Sequence, residues 1–326
     1  MMVNKKPILY DIKIATGISI LLVVIGHLAS RGEVGIDLYV HLKRIIYKFH
    51  MPLFLCLSGY ITYYTYPSIN TVIDYKKYVK KKIFRLFPAY FILSLTFFVG
   101  KYFFVDSTEV LKSIVNILAF PSESSSGFLW YIYVLFLYSL FMPIIDFIVR
   151  HMFFLFFTIS IIMSTFISFP KIFSLDIFFW YLPFFILGCY LVSKRQVYMI
   201  ILKRFGFLVS VLFLVWGVLE YMSLVDVPKN IISLFAIVSV SYISAIKIVR
   251  NSLLENLGSN SFYIYLFNTM FMGALSILLI KWMGKEAFLV RFYYFVPFLL
   301  VSGVVFPILF HKYVISRIPI LKSLIK

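Results

Sequence analysis

Charge and cysteine are both scarce in this chain of 326 residues. Charged side chains make up 13% of it, against about 25% in a water-soluble domain. Hydrophobic residues reach 62% and the mean hydropathy is +0.98, which excludes a soluble protein, because no single core could hide that much Phe, Ile, Leu and Tyr from water. Acid is scarcer than base: 13 Asp and Glu stand against 31 Lys and Arg, a formal net charge of +18. Yet no soluble basic domain carries the excess. It sits in short segments between apolar runs, as positive-inside topology and contact with anionic headgroups require. Nucleic acid is therefore not an expected partner; the lipid bilayer is.

The two cysteines, Cys56 and Cys189, lie in apolar segments with no Cys-x-x-Cys spacing and no Cys/His cluster. That excludes a disulfide framework and a zinc site, and no metal is expected. Both read as small buried apolar side chains. The first apolar run follows Lys5 and Lys6 but lacks a small-residue cleavage site, so no cleavable leader is expected.

Apolar runs are what the chain has in abundance. A span needs roughly 20 mostly apolar residues, and such runs lie near 10–30, 47–66, 83–104, 127–149, 152–169, 176–193, 205–222, 230–249, 261–281 and 289–312. The pattern predicts an all-α integral membrane protein of about ten transmembrane helices in one bundle, a single domain over 1–326. Loop charge sets the orientation. With the N-terminus inside, the inner loops collect Lys76 to Arg85, Arg150, Lys194, Arg195, Lys203, Arg204, Lys247 and Arg250, and the tail adds Lys312, Arg317, Lys322 and Lys326. The outer loops collect Glu33, Asp37, Asp106, Glu109, Glu123, Asp176, Glu220, Asp226 and Glu286. Ten spans with both termini cytoplasmic reconcile every strongly basic loop; Lys281, Lys285 and Arg291 form the one awkward outer segment.

Ionisable groups within a span are candidates for function. His27 closes the run Ile18-Ser-Ile-Leu-Leu-Val-Val-Ile-Gly-His27 at the outward end of the first helix. Neutral imidazole suits a general base near neutral pH, although a histidine bonded at the interface fits the residues equally. In Phe49-His-Met-Pro-Leu-Phe-Leu-Cys-Leu-Ser-Gly-Tyr60, Pro52 is placed in a first helical turn. Ser58 and Gly59 there permit close helix approach, and His50 reads as a solvated interfacial residue. The run Lys80-Lys-Lys-Ile-Phe-Arg-Leu-Phe-Pro88 opens the third helix on the inner face. Its fixed positive charge can hold phosphates or simply anchor the chain inside. Arg85 is the residue anchoring explains least, since it lies within the apolar run. Trp130, in Gly127-Phe-Leu-Trp-Tyr-Ile132, can be an aromatic-belt residue. In Leu257-Gly-Ser-Asn-Ser-Phe-Tyr-Ile-Tyr-Leu-Phe-Asn268 the first residues read as a loop and N-cap. Ser261, Tyr265 and Asn268 then form one polar stripe at i, i+4 and i+7.

Taken in order, "VVIGH", "FHMPLFLCLSGY", "RLFP", "GFLWYIYVLF" and "LGSNSFYIYLFN" resemble the blocks of the acyltransferase-3 family, membrane O-acyltransferases that modify surface polysaccharides and related glycans; the resemblance covers nearly the whole chain. It implies a ten-helix core in a bacterial inner or plasma membrane, with acetyl-CoA or another acyl-CoA as cytosolic donor substrate and no bound cofactor. A sugar hydroxyl of a cell-surface glycan or its lipid-linked precursor is the implied acceptor. His27 is then the catalytic base. Arg85, with Lys81 and Lys82, holds the CoA phosphates, and Tyr265, Ser261, Asn268 and Trp130 meet the acceptor or the developing oxyanion. Two positions depart from the family pattern. Thr16 stands where an arginine commonly precedes the histidine by three turns, roughly 16 Å away, with Lys13 as a snorkelling substitute. Asn268 stands where the last block often ends in histidine, and an amide exchanges no proton at neutral pH. A transporter or flippase for a lipid-linked glycan or small solute is the competing reading, and a non-catalytic relative the third.

Overall fold

The computed structural model describes residues 9–29, 36–102, 114–246 and 251–325. Lys5, Lys6, Glu33, Asp106, Glu109, Lys247, Arg250 and Lys326 lie outside the described residues. Among those described there are helices and no strands. The chain divides into two compact units.

The first unit holds residues 1–57 and 195–311. It contains α1 (Tyr10–Gly26), most of α2 (Asp37–Tyr64), then α8 (Arg195–Tyr221), α9 (Lys229–Ala245), α10 (Ser252–Ser259), α11 (Ser261–Met283), α12 (Lys285–Val290) and α13 (Phe292–Phe310). The second holds 58–194 and 312–326. Its helices are the end of α2, α3 (Val72–Tyr102), α4 (Trp130–Leu140), α5 (Met142–His151), α6 (Phe153–Phe166), α7 (Leu175–Ser193) and α14 (Pro319–Leu324).

Every one of the ten apolar runs holds a helix. Among the described residues six helices are long and apolar enough to cross a membrane: α2, α3, α7, α8, α11 and α13, the third and sixth extended by a short turn. A bent pair, α4 with α5, makes a seventh if counted as one span. Phe207 is 68% exposed, Leu214 67%, Phe154 72% and Phe298 64%; such side chains belong against lipid. This is the pattern of a multi-pass membrane protein.

Helix α1 is the axis of the first unit. Ile14, Ala15, Ile20, Val23 and Val24 are each at most 1% exposed, and α1 packs against α9, α10, α11 and α13. A helix apolar all round has to be enclosed in this way. Gly17 and Gly258 let α10 lie directly on it. A Cβ on Gly258 would stand 1.9 Å from the Lys13 carbonyl oxygen, and one on Gly17 2.2 Å from that of Leu254. At the start of α1, Asp11 accepts two 2.9 Å bonds from the Arg195 guanidinium at the start of α8. In the second unit α7 packs on α4, α5 and α6, with Phe153 stacked on Tyr190 at 3.6 Å and Tyr138 on Phe185 at 4.3 Å. Gly59 serves there as read from the sequence: an added Cβ would meet the Phe185 carbonyl oxygen at 2.2 Å. Cys56 and Cys189 are buried.

Four details correct the sequence reading. Helix α2 begins at Asp37, so Pro52 lies in its interior and not in a first turn. Helix α3 begins at Val72, which makes the basic run part of the helix. Its start is a capping box: Thr71 Oγ1 accepts from the Asp74 N–H at 3.1 Å while Asp74 Oδ2 accepts from the Thr71 N–H at 3.2 Å,. Gly258 and Ser259 end a helix instead of forming a loop, and Asn260 separates it from α11. The fourth run breaks between α4 and α5 with a 67° bend, because Pro143 cannot donate to the turn before it.

Candidate functional site

His27 directly follows the last residue of α1, and its own N–H reaches back to the Val24 carbonyl at 3.0 Å. The last carbonyls of a helix have no partner within it, and here α2 supplies them. Tyr39 Oη donates to the Ile25 carbonyl at 3.0 Å and accepts from the Ala29 N–H at 3.2 Å. Tyr47 Oη donates to the Gly26 carbonyl at 3.1 Å. The Lys43 ammonium donates to the Ala29 carbonyl and lies over the rings of Tyr39 and Tyr47 at 5.6 and 5.5 Å. A cation at a helix C-terminus also meets the negative end of the helix dipole. Gly26 leaves room for the edge of the Tyr47 ring: an added Cβ would be 2.9 Å from its Cε2.

The imidazole of His27 is half-buried and meets Tyr47 edge-on, with ring centres 6.4 Å apart. Tyr47 also meets His50, with ring centres 4.7 Å apart. His50 is 3% exposed, which corrects its reading as a solvated interfacial residue. Its Nδ1 lies 2.9 Å from the Ile46 carbonyl; a carbonyl only accepts, so Nδ1 carries the proton. Tyr39, Lys43, Tyr47 and His50 follow at four-, four- and three-residue steps, one face of α2. Sequence reasoning missed the first three of them. Their signal was that spacing, hidden because residues 37–46 are too polar to count as part of a span.

The other first-unit candidates sit on α1 and α11. Thr16 is buried with its hydroxyl on the Ile12 carbonyl at 2.8 Å, so it serves its own helix. Tyr265 is buried and stacked on Phe54 at 6.2 Å. Asn268 is 1% exposed. Its Nδ2 donates to the Ile264 and Tyr265 carbonyls at 2.8 and 2.9 Å, while Oδ1 has no hydrogen-bond partner among the described residues. Ser261 is the half-buried first residue of α11.

The second unit brings Lys81, Lys82 and Arg85 together on the wall of one cavity of about 590 Å³, with Lys77, Tyr78 and Thr65. Lys81 and Arg85 are exposed and Lys82 half-buried with its ammonium over the Tyr78 ring at 5.5 Å. Four cations stand on two turns, opposed by the carboxylate of Asp74 alone on that wall; such an arrangement is chemically suited to an anion with several oxygens. Trp130 belongs to the second unit, where it stacks on Tyr181 at 5.2 Å; Tyr265, Ser261 and Asn268 belong to the first.

Against known proteins, one family model, described as an acyltransferase domain, matches residues 9–313. No curated protein and no solved structure matches the chain.

Proposed function

The chain belongs to the acyltransferase-3 family, and from that premise we propose that it is a membrane O-acyltransferase. It moves an acetyl group from cytosolic acetyl-CoA to a sugar hydroxyl of a cell-surface glycan or its lipid-linked precursor. In the topology proposed with it, of ten spans and both termini cytoplasmic, His27 lies at the outer side and the basic run at the inner side.

The observation that carries this reading is the placement of His27. The carbonyls around it are taken up by Tyr39, Tyr47 and Lys43, and His27 is half-buried just beyond a buried apolar helix. In the proposed step the imidazole removes the acceptor hydroxyl proton as that oxygen attacks the thioester carbonyl. The C–O bond forms, the C–S bond breaks, and the proton passes from the imidazolium to the departing CoA sulfur. Lys81, Lys82 and Arg85 bind the phosphates of CoA. Asn268 offers a lone pair and no donor, since both its N–H groups are committed; this suits holding a hydroxyl or an amide N–H of a substrate better than stabilising an oxyanion.

Purified protein in nanodiscs, given radiolabelled acetyl-CoA and a surface-glycan extract, should transfer label to base-labile ester. Arg85→Ala should raise the KM for acetyl-CoA about tenfold, the scale of one lost charge-assisted bond. Uptake of glycan without ester formation would replace this reading with transport.

A further inference from the structure

A second polar stripe runs along α2 beside the one that meets His27. Arg44 and Lys48, at i and i+4, face the last turn of α8 and the loop after it, within the same unit. The Lys48 ammonium lies 2.8 Å from Glu220 Oε1 and also bonds Asp226 Oδ1. That bond holds the Asp226 carboxyl below the usual carboxylate range. Glu220 is 3% exposed, and its second oxygen, Oε2, is buried with no hydrogen-bond partner among the described residues. The Arg44 side chain is 49% exposed and 4.0 Å from Glu220 Oε1. It reaches the Glu220 carbonyl and Ser223 Oγ only at 3.4 Å each. These groups, with Leu224 and Val225, line a cavity of about 320 Å³. Below it Val225 packs on the core of Phe49 and Trp216.

A buried carboxylate oxygen without a donor is expensive, and Glu220 lines the cavity, so that a small rotation of its carboxylate would bring Oε2 to a hydrogen-bond donor from outside the chain. The chemistry of that donor follows from the rest of the wall. Arg44 and Lys48 balance Glu220 and Asp226, so the cavity has no net charge to attract a phosphate. It presents an acceptor at Glu220, a donor at Arg44 and an apolar side at Leu224 and Val225. Neighbouring hydroxyls of a sugar ring donate and accept at once, and the ring's C–H face is apolar. The volume is at the lower end of small-ligand sites, about 300–1,000 Å³.

We propose that this cavity is a carbohydrate subsite for a neutral hexose ring, with Glu220 accepting from one hydroxyl and Arg44 donating to the next. Its role in catalysis rests on the glycan acyltransferase reading; its binding of sugar does not. Lys43 and Arg44 are consecutive, so the His27 surround and this cavity occupy faces of α2 about 100° apart at one level.

The test is hydrogen exchange on the full chain in nanodiscs, with methyl glucoside, methyl galactoside and methyl N-acetylglucosaminide as probes and inorganic phosphate as the anionic control. At least one glycoside should slow exchange over 220–228, in the wild type and equally in His27→Ala, while phosphate should not. Glu220→Gln and Arg44→Met should each raise the half-saturating concentration about tenfold; the Arg44 side chain is exposed enough for that variant to fold should Glu220→Gln not. The proposal is overturned if no glycoside protects this segment, if phosphate protects it instead, or if Arg44→Met leaves the half-saturation unchanged. Loss of acyl transfer in His27→Ala bears on the proposed function and leaves this binding readout untouched.

Discussion

Tyr47 separates two contributions to the His27 surround. Tyr47→Phe keeps the ring against the imidazole and removes the hydroxyl that bonds the Gly26 carbonyl. A net hydrogen bond is worth about 1 kcal/mol, so kcat for acyl transfer should fall about fivefold while the KM for acetyl-CoA stays constant. A role in stability alone would lower the melting temperature and leave kcat per folded molecule as it was. At this scale His27 and Arg85 stand out as candidates in the sequence, because a histidine closing an apolar run and an arginine inside one are both unusual. Tyr39, Lys43 and Tyr47 were not. Lys43 is 7% exposed, and nothing in a one-dimensional reading says that a lysine can be buried on the end of another helix. Asn268 was singled out by its place on a polar stripe, but which of its atoms is uncommitted follows only from the bonds of Nδ2.

Helix contacts give a sharper contrast. Gly258→Ala puts a methyl group on the Lys13 carbonyl, and overpacking of that kind costs about 1–3 kcal/mol. Gly217→Ala, with nothing within 4 Å of an added Cβ, should leave stability unchanged or slightly raised, since alanine is the better helix former. Thermal unfolding of the two variants in the same detergent checks this; equal melting temperatures would mean that α10 does not need its close seat on α1. The ten apolar runs located the helices, yet the boundaries at Asp37 and Val72 were missed by about ten residues. Hydropathy windows stop where charge begins, and helices do not. The capping box Thr71-Val-Ile-Asp74 was readable and marks the true start of α3. Pro143, which splits α4 from α5, was readable as well.

Over the whole molecule, composition and loop charge dictate a membrane protein, and the exposed Phe and Leu side chains agree. The orientation proposed here is tested with single cysteines. Cys56 and Cys189 are both buried, so the native background should react little. A membrane-impermeant maleimide should label Leu224→Cys in intact cells and Asn70→Cys only after permeabilisation. Labelling of both from outside would break the alternation of ten spans. The most direct test of the central claim is O-acylation of the surface glycan by cells carrying His27→Ala or His27→Gln, with membrane insertion and acetyl-CoA binding measured in parallel. Loss of a general base removes about 10²- to 10⁴-fold in rate, so ester on the glycan should fall at least a hundredfold while insertion and donor binding persist; undiminished acylation by either variant would contradict the account.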